Sequence, residues 1–316
     1  MNPYVFRPVA LHIPDGFLSL IISLVFWLVT IVMLGMAVRR TQNEFSERQI
    51  QLMWVMAAFI FAAQMINFPV AGGTSGHMLG GALAAITLGP WAGMLVMAAV
   101  IGIQALLFQD GGLLALGANI FNMGLITAVI GYGLYRATAG RGQTTRLAVV
   151  GLAAWLSVMA GAFFTSIQLW LSGTSTLGVV FPAMMSVHAL IGIGEALITV
   201  AALSFIFRTR PDIVEPTGKT ATGQGWVVAG MLVALVVVLL SPFASADPDG
   251  LERVAINVGF IEAAQDASYQ ILPDYTIPFL GDGGLSTVVA GAVGMMLVAV
   301  VAWGIVYLAR RTTAQN

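Results

Sequence analysis

Nine apolar segments constrain this chain of 316 residues more than anything else, at approximately 17–38, 50–68, 77–88, 90–108, 113–135, 147–170, 183–207, 226–243 and 284–308. About 20 apolar residues in a helix cross a hydrocarbon core of roughly 30 Å. Lipid offers backbone groups no partner, so such segments must be helical. Charged residues make up only 9% of the chain, against about 25% in a soluble protein. The expected fold class is an all-α polytopic membrane protein. Segment 77–88 is too short to span unaided and is set off by Gly89-Pro90, so it reads as a tilted helix or a re-entrant piece.

The basic residues orient these segments. With the N-terminus outside and all nine crossing, Arg39, Arg40, Arg48, Arg136, Arg141, Arg146, Arg208, Arg210, Lys219, Arg310 and Arg311 fall inside. Only Arg7 and Arg253 fall outside. That asymmetry is the positive-inside pattern of a cytoplasmic membrane, and it places the C-terminus inside. A non-spanning 77–88 would move Arg136, Arg141 and Arg146 to the wrong face. Asp15, Asp110, Asp247, Asp249, Glu252, Glu262, Asp266, Asp274 and Asp282 lie outside, where a solvated loop is the plainer account than a cation-gathering surface. Met1 to Leu11 lacks the apolar core of a signal peptide, so no cleavable leader is expected.

One composition break divides the chain. Residues 209–225 are polar and rich in Pro and Gly, as a cytoplasmic linker is. They separate a seven-segment unit, residues 1–208, from a two-helix unit, residues 226–316, whose outer loop at roughly 244–282 is the longest polar stretch. Gly218-Lys219-Thr220 resembles the end of a phosphate loop, but Ile213 stands where that pattern needs its first Gly. ATP hydrolysis by that route is excluded.

Chemistry can reside in few places. The chain has three His and no Cys, so neither a disulfide nor a thiolate metal site is possible. His12, in His12-Ile-Pro-Asp15-Gly16-Phe-Leu-Ser, precedes the first span. His77 follows the small-residue run Gly72-Gly73-Thr74-Ser75-Gly76. A lone His there would be a helix-boundary residue; two in such contexts favour ligation of a borderline divalent metal. His188 opens the seventh segment, with Glu195 seven residues later on the same helical face. Glu195 is the one carboxylate within a segment, and an intramembrane ionisable group is a functional candidate by default. Its role is open between structural hydrogen bonding and transport. Asn119 and Asn122 share a face at i,i+3; interhelical packing is the first reading, support of a metal the second. Gln104 reads similarly. The sixteen Met form no dense cluster and read as core filler. No nucleophile–base–orienter set appears, which argues against an enzyme.

Residues 12–19, Gly73-Thr-Ser-Gly-His77, Gly117-Ala-Asn-Ile-Phe-Asn-Met-Gly124 and His188-Ala-Leu-Ile-Gly-Ile-Gly-Glu-Ala196 together resemble the CbiM/NikM family, the substrate-binding membrane component of energy-coupling-factor nickel/cobalt transporters. Pro248-Asp249-Gly250-Leu251-Glu252 is similar to the PDGLE signature of that system's small accessory subunit, here fused after the linker. The resemblance covers nearly the whole chain. It implies import of Ni²⁺ or Co²⁺ as the transported ion, with no resident cofactor. The implied partners are a transmembrane coupling protein, separate cytoplasmic ATPase subunits and the lipid bilayer, with no nucleic acid. The rival expectation is a self-sufficient secondary transporter or channel for a divalent cation.

The resemblance also implies a ligand set. In the family the first His follows the initiator Met, and the free amine, the backbone nitrogen of that His and its imidazole bind metal with a second His. Here His12 and His77 match the two His, but Leu11 precedes His12. Its nitrogen is an amide unless it is the first residue. Three explanations stand open: a start at Leu11 read as Met, removal of residues 1–10, or a changed ligand set. The first is the leading expectation.

Overall fold

The structure, a computed structural model, describes residues 12–42, 46–209 and 225–313. The expectations for Leu11, for residues 1–10 and for most of the 209–225 linker fall outside the described residues. The elements run α1 (Leu20–Thr41), α2 (Glu47–Gln64), β1 (Phe68–Val70), β2 (Thr74–Gly76), α3 (Gly81–Leu88), α4 (Pro90–Ile103), α5 (Leu116–Ile120), α6 (Ile126–Arg136), α7 (Gln143–Leu171), α8 (Leu177–Thr209), α9 (Gly225–Leu240), α10 (Gly250–Val258) and α11 (Gly284–Thr313). Single π-turns extend α4 over Gln104–Phe108 and join α5 to α6 over Phe121–Leu125.

Among the described residues, seven helical stretches are long and apolar enough to cross a membrane. They are α1, α4 with its π-turn, the continuous α5–α6 stretch, α7, α8, α9 through Phe243, and α11. The chain is thus a polytopic helical membrane protein. Two of the nine expected segments take other forms. The segment expected at 50–68 becomes α2, which stops at Gln64. Pro69 disfavours helical backbone at Phe68, and Phe68–Val70 pairs instead with Thr74–Gly76 as an antiparallel hairpin. Gly72 and Gly73 turn that hairpin at φ 79° and 67°, which glycine adopts without strain.

The segment expected at 77–88 is helical only over α3, eight residues or about 12 Å at 1.5 Å per residue. Extended backbone from β1 to Leu79 and then α3 together replace one regular span. The segment expected from 183 begins earlier, at Leu177, with Pro182 inside the helix. His188 is therefore a helix-interior residue and does not open its segment.

Lipid tails are as apolar as Leu, so close backbone approach at small residues, rather than hydrophobic drive, holds membrane helices together. A Cβ on Gly131 of α6 would lie 2.7 Å from the Cα of Ala82 in α3. The helices touch there because glycine permits it. Helix α2 packs against α4, α9 and α11, with Ile60 and Phe61 fully buried.

The expected polar loop at 244–282 is ordered. Its helix α10 starts at the Asp249 cap, whose carboxylate accepts from the Glu252 N–H at 2.7 Å. Leu251, Val254 and Ala255 of α10 pack with Phe17, Leu18, Val180 and Met184. Helix α10 is therefore docked onto the His12 end of the bundle.

Candidate metal centre

The residues from His12 to Gly16 form a pinned loop. The Asn119 side chain pairs with both backbone groups of Ile13, accepting from its N–H and donating to its carbonyl at 3.0 Å each. The Gly112 N–H donates to the same carbonyl. The Asp15 carboxylate accepts from the N–H groups of Leu113, Leu114 and Ala115 at 3.1, 2.8 and 3.1 Å. Those donors lie at the N-terminal entry of α5, where N–H groups lack helical partners. Gly16 takes φ 90°, and a Cβ there would sit 2.0 Å from the Ala263 carbonyl oxygen. The motif is thus one ligand candidate mounted on a bracket.

His77 is held by its neighbours on both sides. Ser75 donates its N–H to the Pro248 carbonyl and its hydroxyl to the Asp247 carbonyl, at 2.9 and 2.7 Å. On the other side, Glu195 accepts from the Leu79 and Gly80 N–H groups at 2.7 and 3.1 Å. Gln64 donates to the Leu79 carbonyl at 2.8 Å. Helix α3 has no capping side chain of its own, since Gly80 stands at its N-cap. A carboxylate from α8 thus holds the turn that opens α3.

Glu195 therefore makes structural hydrogen bonds. Removing the acceptor by Glu195→Ala leaves two buried N–H groups unpaired, at about 1–3 kcal/mol each. The expected result is a clear fall in the thermal unfolding temperature in detergent, with Glu195→Gln intermediate. An unchanged unfolding temperature for Glu195→Ala would count against this clamp.

The structure brings all three histidines to one cavity. His12 and His77 are 3% and 7% exposed. Their rings meet edge to face at 5.6 Å between centroids. Two imidazoles on one ion, at about 2 Å per metal–nitrogen bond, have centroids roughly 4–6 Å apart. His188 lines the same cavity of about 80 Å³, as do Asn119, Asn122, Asp249 and Gly250. A Cβ on Gly250 would stand 2.9 Å from His188 Cε1, so α10 begins directly against that imidazole. Asn122 donates to Thr165 and Gln168 of α7 at 3.1 and 2.7 Å. It joins helices, whereas Asn119 supports the His12 loop.

Hydrogen bonding sets the tautomers. Nδ1 of His12, His77 and His188 lies 3.0, 3.0 and 2.8 Å from the carbonyl oxygens of Asp110, Met78 and Met184. A carbonyl cannot donate, so each Nδ1 carries the proton and each neutral ring keeps its lone pair on Nε2. His12 Nε2 is buried with no hydrogen-bond partner, which suits an electron-pair acceptor. A chelate of His12's own backbone nitrogen and ring would close through Nδ1, but that atom is engaged by Asp110. Among the described residues, no three His, Asp or Glu side chains converge to cage an ion by themselves.

Sequence reasoning places Asp110 only as an outer acidic residue and Asp249 only within the PDGLE-like motif of the accessory unit, and it gives Tyr275 no role. The Tyr275 hydroxyl donates to Asp110 Oδ2 at 2.7 Å. Burial pushes the Asp249 carboxyl well above the usual carboxylate range, with lesser pushes from Glu252 and Asp110. Burial, then Asp110 and Asp266, raises Asp274 to about 6. Of these carboxyls, Asp249 lines the histidine cavity, whereas Asp274 lines a second cavity. No spacing rule would have paired Asp110 with Tyr275, because they come from distant segments.

A helical membrane bundle that buries two imidazoles edge to face beneath a docked loop is the architecture of a membrane component for transition metals. Residues 12–213 match the CbiM family, described as the cobalt uptake substrate-specific transmembrane region, and the chain belongs to that family. Residues 224–311 match the PDGLE domain. The chain is 38% identical over 308 residues to a protein of Archaeoglobus fulgidus named a putative fused nickel transport protein NikMN, covering 95% of this chain and 99% of that one. It is 32% identical over 206 residues to the cobalt transport protein CbiM of Anoxybacillus flavithermus, covering 62% of this chain and 82% of that one. A crystal structure of a truncated transition metal transporter superposes with a TM-score of 0.57 at 34% identity, covering 62% of this chain and 98% of the other.

Proposed function

We propose that this chain is the substrate-capture component of an ATP-driven importer of Ni²⁺ or Co²⁺ across the cytoplasmic membrane. The single observation that carries the reading is the buried contact of His12 with His77. In this proposal the two imidazoles are ligands. The nitrogen of Leu11, outside the described residues, is the ligand the resemblance adds. His188 stands beside them as a pathway residue. Residues 1–208 form the binding unit and residues 226–316 the accessory unit, joined by the 209–225 linker. The N-terminus faces outside and the C-terminus inside, in keeping with the basic residues.

Energy then comes from elsewhere. The sequence lacks a phosphate loop, so ATP hydrolysis is assigned to cytoplasmic ATPase subunits working through a transmembrane coupling protein. A self-sufficient carrier or channel would need a charged path through the bundle. The carboxylate best placed to line one, Glu195, is occupied by two backbone N–H groups.

The test is radiolabelled nickel and cobalt uptake into vesicles holding the chain alone, then with coupling and ATPase chains added. Binding without net uptake by the lone chain, and ATP-dependent uptake by the complete set, is the expected outcome. Concentrative uptake by the chain alone would establish the rival reading.

A further inference from the structure

An open apolar groove of about 520 Å³ runs between α6 and α7, lined by Val129, Gly133 and Leu134 of one helix and Leu156, Ala160 and Phe163 of the other. Val129 and Phe163 are 50% and 41% exposed. Among the described residues, a Cβ on Gly133 would meet nothing within 4 Å, so there is room above that backbone. The groove lies on the far side of α7 from the histidines. Val158, Ala162 and Thr165 face the histidine cavity, whereas Leu156, Ala160 and Phe163 face the groove, opposite sides of a helix with 3.6 residues per turn.

The turn joining the two helices is basic. Arg136 lies in the last turn of α6, Arg141 in the connection and Arg146 in the first turn of α7. From Gly111 to Gly194 the sequence holds no Asp or Glu. Arg146 is committed to the protein: its guanidinium lies 5.0 and 5.1 Å from the ring centroids of Tyr135 and Phe207 and donates to the Tyr135 hydroxyl. Arg136 and Arg141 are exposed. Arg136 Nη1 donates to the Tyr132 hydroxyl at 3.0 Å, a neutral partner that leaves the charge uncancelled.

Val129, Gly133 and Arg136 stand at i, i+4 and i+7 on one helix face, so Arg136 tops the groove. Seven residues of helix rise about 10 Å, within one leaflet's share of a hydrocarbon core of roughly 30 Å. Tyr132 and Tyr135 stand at the same level as Arg136, as tyrosines do at a membrane interface.

We propose that the α6–α7 groove binds an anionic phospholipid, its phosphate held by Arg136 and Arg141 and an acyl chain laid along Gly133. Basic residues between membrane helices at the cytoplasmic side suit anionic headgroups. A packed helix is a poorer occupant, because close approach needs small residues one turn apart. Val129 and Leu156, four residues before Gly133 and Ala160, are large, and Ala137, four after Gly133, lies past the end of α6. An acyl chain bends around such side chains. The site is independent of the transport reading; the proposed orientation only assigns it to the cytoplasmic leaflet.

The experiment mixes the full-length chain in detergent with phosphatidylglycerol and phosphatidylcholine of matched acyl chains. Native mass spectrometry counts the retained lipid, and the unfolding temperature is a second readout. Retention of phosphatidylglycerol about 30-fold over phosphatidylcholine is expected, with about fivefold lost in each of Arg136→Gln and Arg141→Gln, the usual effect of one arginine near anionic lipid. Phosphatidylglycerol should raise the unfolding temperature of wild type and not of the double variant. Gly133→Leu fills the groove and should lower retention of both lipids. Arg39→Gln with Arg40→Gln removes two exposed arginines at the end of α1 and should leave the preference intact.

Equal retention of the two lipids by wild type overturns the proposal, as does an unchanged preference in the Arg136→Gln, Arg141→Gln double variant. An equal loss in the α1 variant would reduce the effect to general surface charge and overturn it too. A dimer in the same spectra that Gly133→Leu disperses would give the groove to a second copy of the chain instead.

Discussion

His77→Ala is expected to abolish high-affinity nickel or cobalt binding while the protein still inserts and folds. The change removes one of two imidazoles whose rings lie 5.6 Å apart in a buried cavity. Removing a group behind a ligand costs about 10–100-fold in affinity, so losing the ligand itself should cost on the order of 100-fold or more. The fold should persist, because the surrounding turn is held by other groups. Ser75 remains bonded to the carbonyls of Asp247 and Pro248, and Leu79 and Gly80 to Glu195. The Met78 carbonyl loses its imidazole donor, and an under-satisfied carbonyl is tolerated better than an orphaned N–H. Calorimetric titration of wild type and variant at matched unfolding temperatures checks this. Near-wild-type affinity in His77→Ala would remove His77 from the ligand set and turn attention to His188.

The helical membrane class was legible because it rests on apolar run length, which lipid enforces without regard to tertiary detail. The exceptions share a cause. The stretch from Ile50 to Leu88 looks like two spans by hydropathy alone. Pro69 and the left-handed Gly80 instead break its second half into hairpin, extended backbone and short helix. Hydropathy registers how apolar a segment is. It does not register where backbone must turn.

The site divides the same way. His12, His77 and His188 were visible as the chain's three imidazoles, and Asn119 as a buried amide, since such groups are rare in this composition. Their supports were not visible. Asp110 reads as one outer carboxylate among nine, and Tyr275 as one aromatic in a polar loop. Only the reversed turn at Gln109–Gly111 and the docking of the loop across the bundle bring them behind His12. Glu195 was legible as an exception, an ionisable group in a span, but its partners are backbone N–H groups with no sequence signature.

Cutting the chain within residues 210–224 is expected to leave a folded unit that binds metal more weakly and does not transport. Residues 225–316 hold no histidine, so the imidazoles stay with the larger unit. Helices α9 and α11 pack on α2; losing them exposes an apolar helix to lipid, which costs little because lipid tails replace the lost apolar neighbours. The His12 end changes more. Ser75 loses the Asp247 and Pro248 carbonyls, the Asp15 carbonyl loses the Gln265 N–H, and Asp110 loses the Tyr275 hydroxyl. The His77 hairpin and the His12 loop thus each lose a brace, and the cavity loses its cover of Asp249, Gly250 and Leu251. Affinity should fall about tenfold or somewhat more, as for removal of groups behind the ligands, chiefly through faster dissociation. Supplying residues 225–316 as a separate chain should restore affinity. Stopped-flow release of bound nickel into a chelator, with and without that second chain, measures it. Complete loss of equilibrium binding would place an essential ligand beyond the linker, and wild-type affinity would show that the docked loop serves transport alone.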